Sequence, residues 1–244
     1  MRHFLVQTIG VLRVLNQVIK TSGRDYLAPY AKPLDAMIGC IKERDNLLGN
    51  TVVRQLMAKF ICRRVLSCLP PRAPRIRAKG IVIFPREYHG LLRESLFARE
   101  AKVLVALESA ETGNPVLENE DFEVSVFVEE SLEDIFAYLQ DRDTIVRWST
   151  AKGLSRISER LPRDFNDQVF DHILSLFEIH TLPGEGEVVG GVADGAMGVQ
   201  LPASAESIWH GASLAAAEFA RRGLVSPERL SQLMKWMAKA RICI

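Results

Sequence analysis

The sequence predicts an all-α fold of stacked helix pairs, a helical-repeat solenoid. Three observations carry this. Apolar residues recur at three- and four-residue intervals in segment after segment. One helical string occurs twice, with Arg54 and Arg147 at matching places 93 residues apart. The composition is 48% hydrophobic but only 7% aromatic, with alanine and leucine plentiful, which suits helices better than sheets.

Taken in order, Phe4 to Ile19 sets Leu5, Ile9, Leu12, Leu15 and Ile19 at helical spacing, and Ser22-Gly23 ends that helix. Pro33 opens a short helix with Leu34, Met37, Ile38 and Ile41 on one face, since proline suits a first turn. Thr51 to Leu69 reads as a long helix stopped by Pro70-Pro71. Residues 72–85 are basic and proline-rich and read as an irregular loop, with Ile81 to Phe84 as a short strand or helix edge. Glu87 to Ser109 reads as helix, 111–125 as a further irregular loop, and Phe122 to Phe127 alternates weakly enough to suggest a strand. Helices are expected over Ser131 to Gln140, over Thr144 to Leu161 with Asp143 as its N-cap, and over Asp164 to Phe177. The glycine-rich stretch 181–206 reads as a flexible loop. Trp209 to Arg222 and a helix opened by Pro227, cut short at the end of the chain, complete the pattern. The expected organisation is helical repeats over 1–71, a linker and helical segment over 72–125, and further repeats over 126–244.

The repeated string reads Thr51-Val52-Val53-Arg54, Ala58-Lys59 and Leu69-Pro70, then Thr144-Ile145-Val146-Arg147, Ala151-Lys152 and Leu161-Pro162. An Asp-containing turn followed by Val-Arg at a helix start, as in Asp141 to Arg147, resembles HEAT and armadillo-like repeats. The separation fits two helix-pair units of about 40–47 residues each, and Trp209 to Leu224 reads as a weaker third copy. In this arrangement Val146 and Leu154 face the core, Ala151 lets helices approach, and Arg147 bonds an Asp or the carbonyls of the adjacent turn.

Two strings resemble one family more closely. Asp143 to Leu154, continued by Arg160-Leu161-Pro162, is similar to the tubulin-specific chaperone D (tubulin-folding cofactor D) family. Trp209-His210-Gly211, Leu214-Ala215, Ala217-Glu218 and Arg221-Arg222-Gly223-Leu224 are similar to it too. The resemblance is strongest over 141–162 and 207–224, fair over 26–71, and poor over 72–116 and 181–206. Family members are several times longer, which implies a piece of the N-terminal half of the scaffold. The resemblance implies capture of β-tubulin and assembly of the α/β-tubulin heterodimer. It implies other tubulin cofactors and an Arf-like small GTPase as partners, and a GTPase-activating role only within a cofactor complex. A cytoplasmic location, with association to microtubules, goes with it. The alternative is a generic HEAT-repeat adaptor unrelated to tubulin.

Chemistry points the same way. A formal net charge of +1 argues against a dedicated nucleic-acid binder. Neither a phosphate-cradling Gly-x-x-x-x-Gly-Lys nor a dinucleotide fingerprint occurs. The histidines His3, His89, His172, His180 and His210 are scattered rather than paired as ligands. The cysteines Cys40, Cys62, Cys68 and Cys243 lack metal or redox spacing and read as reduced thiols. No window is apolar and long enough for a membrane span, and no cofactor, metal or catalytic residue is expected. The residues singled out are Arg147, Trp148, Lys152, Trp209 and His210, in partner contact or in packing between repeats. The basic run Arg63, Arg64, Arg72, Arg75, Arg77 and Lys79 reads first as solvated surface, and second as a contact to an acidic protein such as tubulin.

Overall fold

The structure, a computed structural model, describes residues 2–22, 24–70, 76–78, 81–83, 124–178 and 203–239. Its helices are α1 (Arg2–Thr21), α2 (Arg24–Leu27), α3 (Ala31–Lys42), α4 (Asp45–Leu48), α5 (Thr51–Cys68), α6 (Val126–Leu139), α7 (Thr144–Ser158), α8 (Arg163–Glu178), α9 (Ala203–Arg222) and α10 (Pro227–Lys239). A 3-10 turn, Ala28–Tyr30, joins α2 to α3.

Helices α1, α5, α7 and α9 lie side by side in one row, and α6, α8 and α10 form a second row packed on it. Helix α3 is tied to the head of the second row by an ion pair between Lys42 and Asp134. One continuous core runs through both rows, from Leu12 to Leu233. Helices α5 and α7 run in the same direction. Thr51 Oγ1 donates to Asp143, Gln55 Nε2 to Ser149 Oγ and Arg160 Nη1 to the Leu66 carbonyl, at sequence separations of 92, 94 and 94. The internal repeat is therefore also the lateral register of two touching helices. Because α5 and α7 are neighbours, the 93-residue offset is one step of the stack rather than the two units expected. The long stretch 69–125 lies within that step.

Several local expectations are corrected. Part of the loop expected over 72–85 is a hairpin, β1 (Ile76–Ala78) against β2 (Ile81–Ile83), antiparallel with Ile76 opposite Ile83; β2 falls on the short strand suggested over Ile81 to Phe84, and β1 was not expected. The β-branched residues Ile81, Val82 and Ile83 favour extended backbone. The strand suggested over 122–127 is not formed over its described residues, 124–127. Helix α6 starts at Val126, because Val128, Leu132, Ile135 and Leu139 carry one buried face without interruption. Residues 203–206, expected in the flexible loop, open α9, where Ala205 is buried. The helix expected over 87–109 and residues 181–202 lie outside the described residues.

Two glycines set how closely the helices approach. A Cβ on Gly153 would lie 2.3 Å from Cys62 Sγ, so α7 meets α5 there without a side chain between them. A Cβ on Gly211 would lie 1.9 Å from the Leu139 carbonyl oxygen, so α9 rests on the C-terminal end of α6. Burial in the α5–α7 seam pushes the Cys62 thiol up to about 12, only partly countered by the nearby Arg156 and Arg63 cations. Cys40 is exposed. With its thiolate disfavoured by burial and its side chain only 3% exposed at the groove floor, Cys62 will resist alkylation in native buffer while Cys40 labels readily. Peptide mapping by mass spectrometry, with and without denaturant, checks this. Equal labelling of both cysteines in native buffer would show the seam to be open.

Candidate partner-binding surface

Two polar systems sit on the first row, one at its edge and one on its open face. The edge system is built from the repeated arginine. Nη1 of Arg54 donates to the carbonyls of Leu48 and Gly49 at 2.7 and 3.1 Å. Nη1 of Arg147 donates to the carbonyls of Asp141 and Arg142 at 2.6 and 2.8 Å. In each copy the guanidinium reaches back six and five residues to the turn that feeds its own helix. Turn carbonyls have no helical amide to accept from, and the planar fork supplies two donors at once.

The remaining donors join neighbouring units. Nε of Arg54 donates to Asp141 Oδ2 at 2.7 Å, and its Nη2 to Asp143. Asp143 therefore occupies the N-cap position of α7 without capping it: its carboxylate accepts from Arg54 and from Thr51 Oγ1 at 2.8 Å, and from no helix amide. The cation across the seam outcompetes the neutral amides. Asn50, at the same place in α5, does cap, accepting from the Val52 and Val53 amides. Nε of Arg147 donates to His210 Nδ1 at 3.1 Å. Burial and then the Arg147 cation hold His210 below the usual histidine range, which keeps Nδ1 an acceptor. Further along the row Arg222 Nη1 donates to Glu159 Oε2 at 2.7 Å and its Nε to Ser155 Oγ at 2.9 Å, tying α9 to α7.

The face system is a groove of about 240 Å³ between α5 and α7. Gln55, Lys59 and Arg63 line one side, Trp148, Lys152 and Arg156 the other, and buried Cys62, Ser149 and Gly153 form the base. Each trio is spaced by four residues, which puts it along one helix face. Each member of the first trio matches the second at the repeat offset. Lys152 Nζ lies 3.3 Å from the centre of the Trp148 ring, a cation–π contact.

The structure thus separates the residues singled out from sequence. Arg147 and His210 meet at the edge. Trp148, 48% exposed, stacks with Lys152 in the groove. Trp209 is buried between α8, α9 and α10, edge-on to Phe177 at 5.1 Å and to Trp236 at 6.2 Å. Sequence reasoning assigned no role to Gln55, Lys59 and Arg156, and placed Arg63 only in the basic run. Their signal was available as the Lys-x-x-x-Arg spacing that occurs in both copies. Of the basic run, Arg63 lines the groove, whereas Arg64 is buried, paired with Asp35 at 2.8 and 3.0 Å, and lies over the Phe127 ring at 4.6 Å. Neither is the solvated side chain expected. Arg72, Arg75 and Lys79 lie outside the described residues.

The sequence model of the tubulin-specific chaperone D-like armadillo repeats matches residues 52–193 and 185–242. The chain is 39% identical to Tubulin-specific chaperone D of Dictyostelium discoideum over 103 residues, 42% of this chain and 6% of that protein. It is 32% identical to Tubulin-folding cofactor D of Schizosaccharomyces pombe over 103 residues, 42% of this chain and 8% of that protein. The matched stretch is thus less than a tenth of either relative. No solved structure matches the chain. Most of the sequence, including α5 and α7 to α10, falls within one family's repeat pattern, and the chain belongs to the tubulin-specific chaperone D-like family of armadillo-repeat proteins.

Proposed function

We propose that this chain is part of a tubulin-folding scaffold that captures β-tubulin and helps assemble the α/β-tubulin heterodimer. In this reading it acts with other tubulin cofactors and an Arf-like small GTPase, in the cytoplasm and in association with microtubules. It contributes to GTPase activation only as a member of a cofactor complex. The observation that carries the reading is family membership across both copies of the repeat, with relatives named for tubulin folding. A row of parallel helices supports it physically, because stacked repeats present an extended surface able to wrap a large partner.

The test is affinity capture by the full-length protein that contains this chain. Retention of β-tubulin and of the Arf-like GTPase is the expected result. A full-length protein that retains neither is a HEAT-type adaptor for other partners, and the tubulin reading then fails.

A further inference from the structure

The α5–α7 groove carries four cations and an exposed indole. Lys59 and Arg63 project from one helix, Lys152 and Arg156 from the other, with Trp148 at one end. Among the described residues none of the four is within ion-pair distance of a carboxylate. Nη1 of Arg63 donates to the backbone oxygen and Oδ1 of Asn16 at 2.6 and 2.8 Å. These are neutral acceptors that aim the guanidinium without cancelling its charge. The contrast with the rest of the fold is informative. Arg54, Arg64, Arg222 and Arg229, all on the same helical stack, each engage a carboxylate.

Like charges side by side repel, and the close approach of α5 and α7 at Gly153 holds them together. Lys59 is held below the usual lysine range by burial and then by the Arg63 cation, and Arg63 is lowered by burial and then by Arg156. A negatively charged occupant offsets the repulsion and compensates the cations for their lost hydration. The groove follows the helix axes, with two cations on successive turns of either side, and Trp148 offers a flat apolar platform beside the charge. That shape suits an extended chain with repeated carboxylates better than a single small anion.

We infer that the α5–α7 groove is a docking site for an acidic, extended peptide segment of a partner protein, held by Lys59, Arg63, Lys152 and Arg156 with Trp148 packing against it. This adds a partner chemistry to the tubulin reading without depending on it. Loss of tubulin capture with peptide binding intact would overturn only the former.

The experiment uses the full 244-residue chain and a fluorescein-labelled octaglutamate peptide, read by fluorescence anisotropy. Binding that weakens as salt rises is expected. The Lys59→Glu/Lys152→Glu double variant is expected to bind about tenfold or more weakly, while Lys20→Glu/Lys235→Glu, at exposed sites elsewhere, binds as the parent does. Melting curves by circular dichroism establish that the variants are folded. Trp148→Phe gives a second readout: peptide-induced change in tryptophan fluorescence is present in the parent and lost in this variant. The proposal is overturned by absence of peptide binding to the folded parent, or by equal losses in the two double variants. Tighter binding of a DNA oligonucleotide than of the peptide would also overturn it. So would a large gain in peptide affinity when Glu118, Glu120, Asp121 and Glu123 are neutralised, since the chain's own acidic stretch would then be the occupant.

Discussion

Replacing Arg54 by alanine lowers the free energy of unfolding by about 3–5 kcal/mol, the range for breaking a buried ion pair from one side. The size follows from what the side chain holds. Arg54 and Asp141 each have side chains only 9% exposed, so the carboxylate left behind is poorly hydrated. The carbonyls of Leu48 and Gly49 lose a donor at the same time, and α5 loses its tie to the turn before α7. Lysine at this position recovers only a minor part. A point-like ammonium cannot reach two carbonyls and two carboxylates in the fixed geometry of the guanidinium fork. Urea denaturation followed by circular dichroism measures the effect. A loss below about 1 kcal/mol, the level of an exposed pair, would mean that the edge network is solvated and does not join the repeats.

The second large effect is at Gly211. In an exposed helix, glycine to alanine is favourable by roughly 1 kcal/mol, because alanine is the better helix former. Here the added Cβ would meet the Leu139 carbonyl oxygen at 1.9 Å and Arg147 Cδ at 3.4 Å. The nearer atom is backbone at the end of α6, which cannot rotate away, so α9 must move. Overpacking of this kind costs about 1–3 kcal/mol or more, and the move also stretches the Arg147 to His210 bond. The clash outweighs the propensity gain, and Gly211→Ala is expected to lower stability by about 2 kcal/mol. Gly10→Ala is the matched control. Nothing lies within 4 Å of the Cβ it adds to α1, so it should gain roughly 0.5–1 kcal/mol. Thermal or urea unfolding of the two variants separates the cases by sign. A stabilised Gly211→Ala would rule out the close contact between α9 and α6.

Much of the architecture was legible in the sequence, for reasons that differ by element. The apolar spacing in α1 and α8 is clear because each buries one face. Helix α5 is harder to read from periodicity, since neighbours on several sides bury Arg54, Cys62 and Arg64 along with its apolar residues. Its length and the Pro70-Pro71 stop marked it as a helix all the same, and the string shared with α7 set the two helices in register. What failed was local grammar overridden by tertiary partners. Asp143 sits where an N-cap belongs, yet the charge of Arg54 claims it. The start of α6 was misread because Phe122, Val124 and Val126 alternate, whereas the buried series from Val128 to Leu139 decides the outcome. The size of the repeat step was misjudged because only packing shows that α5 and α7 touch. For Trp209 the sequence left partner contact and packing between repeats both open, and its burial among aromatic rings places it in packing. Trp148, Lys152 and Arg63 were singled out, but Gln55, Lys59 and Arg156 were not, because each is unremarkable singly and joins a cluster only when equivalent positions are laid side by side.

The contact between Gly153 and Cys62 has a consequence for how this repeat can evolve. The two positions draw on one shared volume, so neither can enlarge alone. A lineage that places alanine or serine at 153 must shrink position 62 toward glycine, and one that keeps a thiol or larger group at 62 must leave 153 bare. Substitutions at these sites are thus expected to trade size in pairs. The same reciprocity makes Gly153→Ala on its own damaging and tolerable beside Cys62→Gly.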